Sequence, residues 1–112
     1  MNMEEICFQI ISNVGAARSN YFEAIELAKK GKLQEAHDMI SEGDSFYKEA
    51  HHVHGDLIAQ DAGDDKVELS LILMHAEDQM MSTETAKFFA EEFIDLYDRL
   101  ASAGSLDFIK ED

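Results

Sequence analysis

Three polar side chains that could do chemistry lie within one otherwise largely apolar segment, residues 71–82. His75, Asp78 and Ser82 follow one another at spacings of three and four residues. Nothing in the segment breaks a helix, and at about 100° per residue the three side chains fall on one narrow arc. Leu71 lies on the same arc. The pattern therefore predicts an imidazole and a carboxylate in an apolar stripe, where both need partners and both can be tuned by desolvation.

His75 is the first candidate for a reactive group. A neutral imidazole nitrogen is nucleophilic near neutral pH, so a histidine can carry a phosphoryl group or relay a proton. Asp78, three residues further on, could orient the ring or hold a cation. A core histidine that makes one satisfied hydrogen bond would show the same spacing, and the residues alone leave that alternative open.

Two further clusters suggest metal binding. His51 and His54 share a helix face at a spacing that suits zinc or nickel, but no cysteine or close acidic pair completes a tetrahedral set in that segment. Glu49 and His52 form a Glu-x-x-His unit, which di-iron bundles use twice together with two more glutamates. No second such unit is present, which argues against a di-iron site and leaves inter-helix or partly exposed histidines as the simpler interpretation.

Three long amphipathic helices are predicted to position these groups, over about residues 3–30, 33–60 and 67–103. Two lysines and a glycine at residues 29–31 are typical of a helix end. The acidic, glycine-containing stretch at residues 61–66 is the clearest loop. The two short connections predict an all-α, three-helix, up-down-up antiparallel bundle.

The helices are predicted to form one domain over residues 1–104, followed by a short acidic tail over residues 105–112. Gly15 interrupts the first helix, and because glycine is costly inside a helix it suggests close backbone approach to another element. The third helix is apolar around nearly its whole circumference, which is typical of a helix that is buried on all sides. Two partner helices cannot cover it fully, so we expect self-association of the chain through this helix.

Composition limits the classes of partner. Acidic residues outnumber basic ones 24 to 9 and give a net charge of -15, which argues against nucleic acids and anionic membranes and favours basic protein partners. The apolar content of 46% is too high for a disordered acidic chain. No segment reaches the length of a membrane span, and the acidic start is unlike a secretory signal. A lone cysteine, Cys7, fits a reducing cytoplasm.

The sequence of residues 75–81, His-Ala-Glu-Asp-Gln-Met-Met, resembles the active-site signature of enzyme IIA of the lactose/cellobiose class of the bacterial phosphoenolpyruvate-dependent sugar phosphotransferase system. The family pattern reads His-Ala-Gln-Asp-His-Leu-Met. Residues 15–19, Gly-Ala-Ala-Arg-Ser, look like the family's first-helix motif, and residues 92–97 look like its C-terminal helix. The resemblance covers essentially the whole chain.

The resemblance implies a cytoplasmic homotrimer of three-helix subunits. It implies phosphorylation of His75 by the phosphocarrier protein HPr, transfer to a cysteine of enzyme IIB, and sugar entry through enzyme IIC. Asp78 matches the family's metal-holding aspartate, so three carboxylates would hold one structural Mg²⁺ ion on the threefold axis. We expect Leu71 to contribute to an apolar wall, and Gln79 and Ser82 to offer hydrogen bonds to the phosphoryl group.

The chain departs from the family pattern at two positions. Glu77 replaces the usual glutamine, and because it lies about 160° from His75 we expect it to point away from the phosphoryl group. Gln79 replaces a second histidine and could donate a hydrogen bond but not carry a proton. The opening residues 6–12 look more like cellobiose or chitobiose members than lactose ones. The alternative to a phosphocarrier is a non-catalytic acidic helical-bundle interaction module.

Overall fold

The computed structural model describes residues 2–104. They form three α-helices, α1 (Met3–Lys29), α2 (Leu33–Ala62) and α3 (Leu71–Ser102), with no β-strand in this range. α1 packs against both other helices, whereas α2 and α3 touch over a smaller area. The all-α prediction of a three-helix bundle is confirmed. The acidic tail predicted at residues 105–112 lies outside the described residues.

The first connection is as short as the sequence predicts. Asn2 caps the start of α1, its side-chain oxygen accepting a hydrogen bond from the Glu5 backbone N–H at 2.9 Å. Lys30 ends the helix, and Gly31 follows with a φ of 78°, a left-handed conformation that glycine adopts without a steric penalty. The Lys32 backbone N–H then donates to the Leu27 carbonyl at 3.0 Å, which turns the chain directly into α2.

The second connection differs from the prediction at both ends. α2 continues to Ala62 instead of residue 60, and α3 begins at Leu71 instead of residue 67. Asp61 is helical, and its carboxylate accepts a hydrogen bond from the Val67 backbone N–H at 3.0 Å, which folds the loop back onto the end of α2. The Ser70 hydroxyl accepts from the Leu73 backbone N–H at 3.2 Å. This side-chain cap fixes the start of α3, although apolar residues precede it.

The core is built on the face of α1 that periodicity predicts. Seven apolar residues recur there at steps of three or four, from Ile6 to Ala28; six of them are fully buried, and Ile6 is half-buried. The buried face contains many small side chains, so the backbones of α1 and its neighbours approach closely. Its fully buried members are Cys7, Ile10, Val14, Ala17, Tyr21, Ala24 and Ala28.

The close backbone approach occurs at a different glycine from the one predicted. A Cβ atom at Gly15 would meet no atom of the described residues within 4 Å, so the close approach predicted for Gly15 is wrong for this part of the chain. A Cβ atom at Gly43 on α2 would lie 2.8 Å from Cε1 of Tyr21 and 3.1 Å from Cβ of Asn20. The absence of a side chain at Gly43 therefore makes room for the aromatic ring of α1.

A polar junction ties the three helices together beside this ring. The Tyr21 hydroxyl donates a hydrogen bond to Oδ1 of Asp44 at 2.7 Å. The ammonium group of Lys87 lies 3.2 Å from the same oxygen. One residue from each helix thus meets at one carboxylate. Burial, and then the hydrogen bond to Asp44, raise the pKa of the Tyr21 phenol well above its usual range.

One face of α3 is left uncovered by α1 and α2. Its large apolar side chains include Leu71, which is 83% exposed, and Phe89, which is 56% exposed. A monomeric soluble protein rarely exposes so continuous an apolar surface. Among the described residues, no helix has the length and apolar content needed to cross a membrane.

Candidate functional site

The predicted site residues lie together on the uncovered face of α3. His75 and Ser82 are exposed, as are Leu71 and Asp78, and helical geometry places all four on one side of the helix. The Ser70 side chain caps α3 at Leu71, about one turn before His75, so His75 lies in the regular part of the helix. The expected apolar wall is incomplete in a single chain, since Leu71 projects into solvent. Whatever covers this face must supply the rest of the wall.

Gln79 is held by the first helix. Nη1 of Arg18, on α1, donates a hydrogen bond to Oε1 of Gln79 at 2.5 Å, and both side chains are half-buried. Gln79 lies one helical turn after His75. The sequence predicted Gln79 as a hydrogen-bond donor, and the structure adds a guanidinium group that orients its amide.

Glu77 points away from His75, in agreement with its predicted position on the helix. Its Oε2 atom lies 2.6 Å from Nε2 of His54, on α2, and the His54 side chain is only 17% exposed. The buried Nε2 atom has no other partner among the described residues, and it can donate to the Glu77 carboxylate only when the proton is on Nε2 and not on Nδ1 alone. The pair bridges α2 and α3 behind the predicted site. Burial, and then the Glu77 charge, raise the pKa of the nearby Cys7 thiol.

The remaining histidine candidates are separate from this site. His51 is exposed and stacks on Tyr47 with a ring-centroid distance of 6.3 Å, and His52 is exposed. Within residues 2–104, no three His, Cys, Asp or Glu side chains are grouped so that they could hold a metal ion. Neither the histidine pair nor the Glu-x-x-His unit thus finds further ligands in the described part of the chain.

Asp78 fits a metal site only if other copies of the chain take part. Its carboxylate is exposed and has no hydrogen-bond or ion-pair partner among the described residues. A hard cation such as Mg²⁺ prefers several oxygen ligands, and one chain offers a single carboxylate here. Three copies meeting at this face would supply three.

Sequence reasoning did not assign a role to Arg18 or a partner to Glu77. Arg18 lies in the motif at residues 15–19, but a motif on one helix does not state which residue of another helix it contacts. The Arg18–Gln79 and His54–Glu77 contacts each join two helices, and the packing of the bundle sets how those helices are rotated relative to each other. The only available signal was that Gln79 and Glu77 depart from the family pattern together.

The sequence of the chain matches a known protein family over most of its length. Residues 5–98 match the family model described as the lactose/cellobiose-specific IIA subunit of the phosphotransferase system. The chain is 40% identical over 98 residues to the lichenan-specific phosphotransferase enzyme IIA component of Bacillus subtilis, a match that covers 88% of this chain and 89% of that protein.

Two solved structures share the fold. The crystal structure of the cellobiose-specific enzyme IIA from Bacillus anthracis superposes with a TM-score of 0.86 at 43% identity, covering 91% of this chain and 94% of that one. The chitobiose-specific IIA protein of Escherichia coli, solved in solution in complex with HPr, gives a TM-score of 0.78 at 35% identity, covering 90% and 98%. The family match, the identity and the shared fold agree, and the chain belongs to the lactose/cellobiose-specific enzyme IIA family of the phosphotransferase system.

Proposed function

We propose that this enzyme IIA accepts a phosphoryl group from HPr on His75 and passes it to a cysteine of enzyme IIB during uptake of a β-linked disaccharide. The observation that carries the proposal is the position of His75. It is exposed on the uncovered face of α3, inside the segment that matches the family signature, so a protein partner can reach its ring. His54, the one half-buried histidine, lies against Glu77 instead of facing a partner.

The transfer needs a neutral imidazole on His75. Its ring nitrogen supplies the lone pair that forms the nitrogen–phosphorus bond while the bond between phosphorus and the donor atom of HPr breaks, and that electron pair returns to the donor atom. In the second transfer the enzyme IIB thiolate forms a sulfur–phosphorus bond while the nitrogen–phosphorus bond breaks, and that electron pair returns to the ring nitrogen of His75. Protein residues contribute mainly positioning and charge stabilisation in such a reaction. The Gln79 amide, about one turn after His75, and the Ser82 hydroxyl, about two turns after it, are the proposed hydrogen-bond donors to the phosphoryl group.

Self-association would complete the site. The uncovered apolar face of α3 extends over much of the helix, and a homotrimer would bury it and close an apolar wall around His75 with Leu71 of each chain. Water would then reach the phosphoryl group less easily, and hydrolysis would be slow. The three Asp78 carboxylates would repel one another in that setting unless one structural Mg²⁺ ion, or protonation, offset their charge.

The named relatives support the partner and the class of sugar. A similar IIA protein has been solved in complex with HPr, which supports HPr as the donor. The relatives compared above are named for lichenan, cellobiose and chitobiose, and a lactose-specific relative from Streptococcus mutans is 35% identical to the chain. The higher identities of 40% and 43% to the lichenan- and cellobiose-specific proteins support a cellobiose-like substrate over lactose.

The test is phosphorylation of the purified chain by phosphoenolpyruvate, the first enzyme of the system and HPr. We expect one acid-labile, base-stable phosphohistidine per chain. His75→Ala should retain the helical signal and lose all label, whereas His54→Ala should keep the label. Labelling of His75→Ala at wild-type stoichiometry would refute the site. A wild-type chain that takes no label would favour the interaction module.

A further inference from the structure

We propose that Arg18, oriented by Gln79, binds the phosphoryl oxygens of phosphorylated His75. The inference rests on the proposed function and adds a residue from a different helix to the site. It starts from the 2.5 Å contact between Nη1 of Arg18 and Oε1 of Gln79, which brings a guanidinium group from α1 to the edge of the α3 face that carries the histidine.

The geometry places this guanidinium close to His75. Residues four apart on a helix have Cβ atoms about 6 Å apart on the same surface. Long helical side chains lean back over the preceding turn, so the Gln79 amide lies over the turn that presents His75. Because Arg18 reaches the carbonyl oxygen of that amide, its remaining N–H groups lie beside the same turn.

The charge of Arg18 is not compensated by any carboxylate of the described residues. No carboxylate in residues 2–104 lies within 4.0 Å of its guanidinium, and its only hydrogen-bond partner there is a neutral amide. This is unexpected for a half-buried arginine in a chain with 24 acidic and 9 basic residues. Three other cationic side chains of the described residues are paired with carboxylates, namely those of Lys29, Lys87 and Arg99. The remaining described lysines have no carboxylate partner there but are exposed to solvent, unlike Arg18.

An uncompensated guanidinium with free donors is suited to a phosphoryl group. Arginine has five N–H donors in a planar fork, and the Gln79 contact uses one of them. Two parallel N–H donors match two phosphoryl oxygens. The amide nitrogen of Gln79, whose oxygen is held by Arg18, can donate to the same group. The phosphoryl group brings almost two negative charges to the acidic surface, and Arg18 would offset part of them.

Two substitutions separate phosphoryl binding from a merely structural role. Arg18→Gln removes the cation. Gln79→Glu keeps a contact between α1 and α3 as an ion pair, but supplies a carboxylate that occupies the Arg18 charge. Lys48→Gln is the matched control, because it removes one positive charge from an exposed position on α2.

The readouts are the initial rate of labelling by phosphorylated HPr and the ³¹P titration of phosphohistidine, with circular dichroism and sedimentation as checks on fold and assembly. Loss of a charge-assisted contact predicts that Arg18→Gln and Gln79→Glu are each labelled on the order of tenfold more slowly. The pKa of the phosphoryl group should rise in both variants, because its dianion loses a nearby cation. Lys48→Gln should stay within about twofold of wild type, since exposed charges are screened.

Wild-type labelling rates and an unchanged ³¹P titration in both variants would show that Arg18 and Gln79 only bridge two helices, and would overturn the inference. If Arg18→Gln fails to fold, Gln79→Glu decides alone, and a wild-type rate in that variant has the same meaning. A wild-type chain that takes no label at His75 would instead refute the proposed function itself.

Discussion

Replacing Gly43 by alanine tests how tightly α1 and α2 are packed. A methyl group at this position would lie 2.8 Å from Cε1 and 3.1 Å from Cδ1 of Tyr21, closer than carbon atoms approach without strain. The ring cannot easily move away, because Tyr21 is fully buried and its hydroxyl is hydrogen bonded to Asp44 at 2.7 Å. The substitution must therefore strain the ring, shift the backbone or break that hydrogen bond.

Effects of opposite sign decide how Gly43→Ala changes the free energy of unfolding. Alanine is favoured over glycine inside a helix by about 1 kcal/mol. Overpacking a core costs about 1–3 kcal/mol, and displacing the Tyr21 hydroxyl from its acceptor costs roughly 1–3 kcal/mol more. Because the Tyr21 ring is both buried and hydrogen bonded, we expect both costs to apply, so that Gly43→Ala lowers the free energy of unfolding by about 1–5 kcal/mol.

Gly55→Ala is the matched control on the same helix. Gly55 is exposed, and a Cβ atom there would meet nothing within 4 Å, so only the helix preference applies and the variant should be about 1 kcal/mol more stable than wild type. Urea unfolding followed by circular dichroism measures both variants, at one fixed protein concentration because the proposed self-association would couple to folding. Equal stabilisation of the two variants would refute the argument from the Tyr21 contact.

Three other predictions concern assembly, charge and pH. Leu71→Glu should convert the proposed trimer to smaller species in sedimentation, because an unpaired charge in an apolar interface costs about 3–5 kcal/mol per chain; a trimer of unchanged stability would argue against this interface. Asp78→Leu should give a trimer of equal or greater thermal stability that retains no Mg²⁺, since apolar replacement of buried charges is often neutral or stabilising; outright unfolding would contradict the charge-removal argument. The raised pKa of Tyr21 predicts a loss of stability in alkali. The unfolded phenol, with an ordinary pKa of 10.0, ionises first, so the contribution is fully present below about pH 10 and is lost as the pH rises further. Tyr21→Phe should show a shallower loss in urea titrations above that pH, and an identical slope would refute it.

The helices and most of the core were predictable because they depend on local patterns. The spacing of apolar residues along α1 determines which face is buried, and the lysines and glycine at residues 29–31 end the helix as predicted. The start of α3 was not predictable from hydrophobic periodicity. Val67 and Leu69 extend the apolar pattern towards the loop, but the Ser70 side chain caps the helix three to four residues later than the pattern suggests.

The sequence predicts which site residues share a face of one helix, but not which residues of other helices they contact. Helical geometry was enough to place His75 and Asp78 on one face and to turn Glu77 away from it. The contacts of Glu77 with His54 and of Gln79 with Arg18 depend on how neighbouring helices are rotated and shifted, and no local pattern contains that information. The same limit explains why Gly15, and not Gly43, was expected at the close contact.

The junction at Asp44 has a consequence for the order of folding events. Its partner on α1 is 23 positions away along the chain, and its partner on α3 is further still, so the carboxylate can meet both only after all three helices have come together. Helices and the tight turn between α1 and α2 form from local contacts and can be present earlier. Contacts that form after the rate-limiting step affect how fast a protein unfolds more than how fast it folds. The Tyr21–Asp44–Lys87 junction is therefore expected to form late in folding and to slow the unfolding of the subunit.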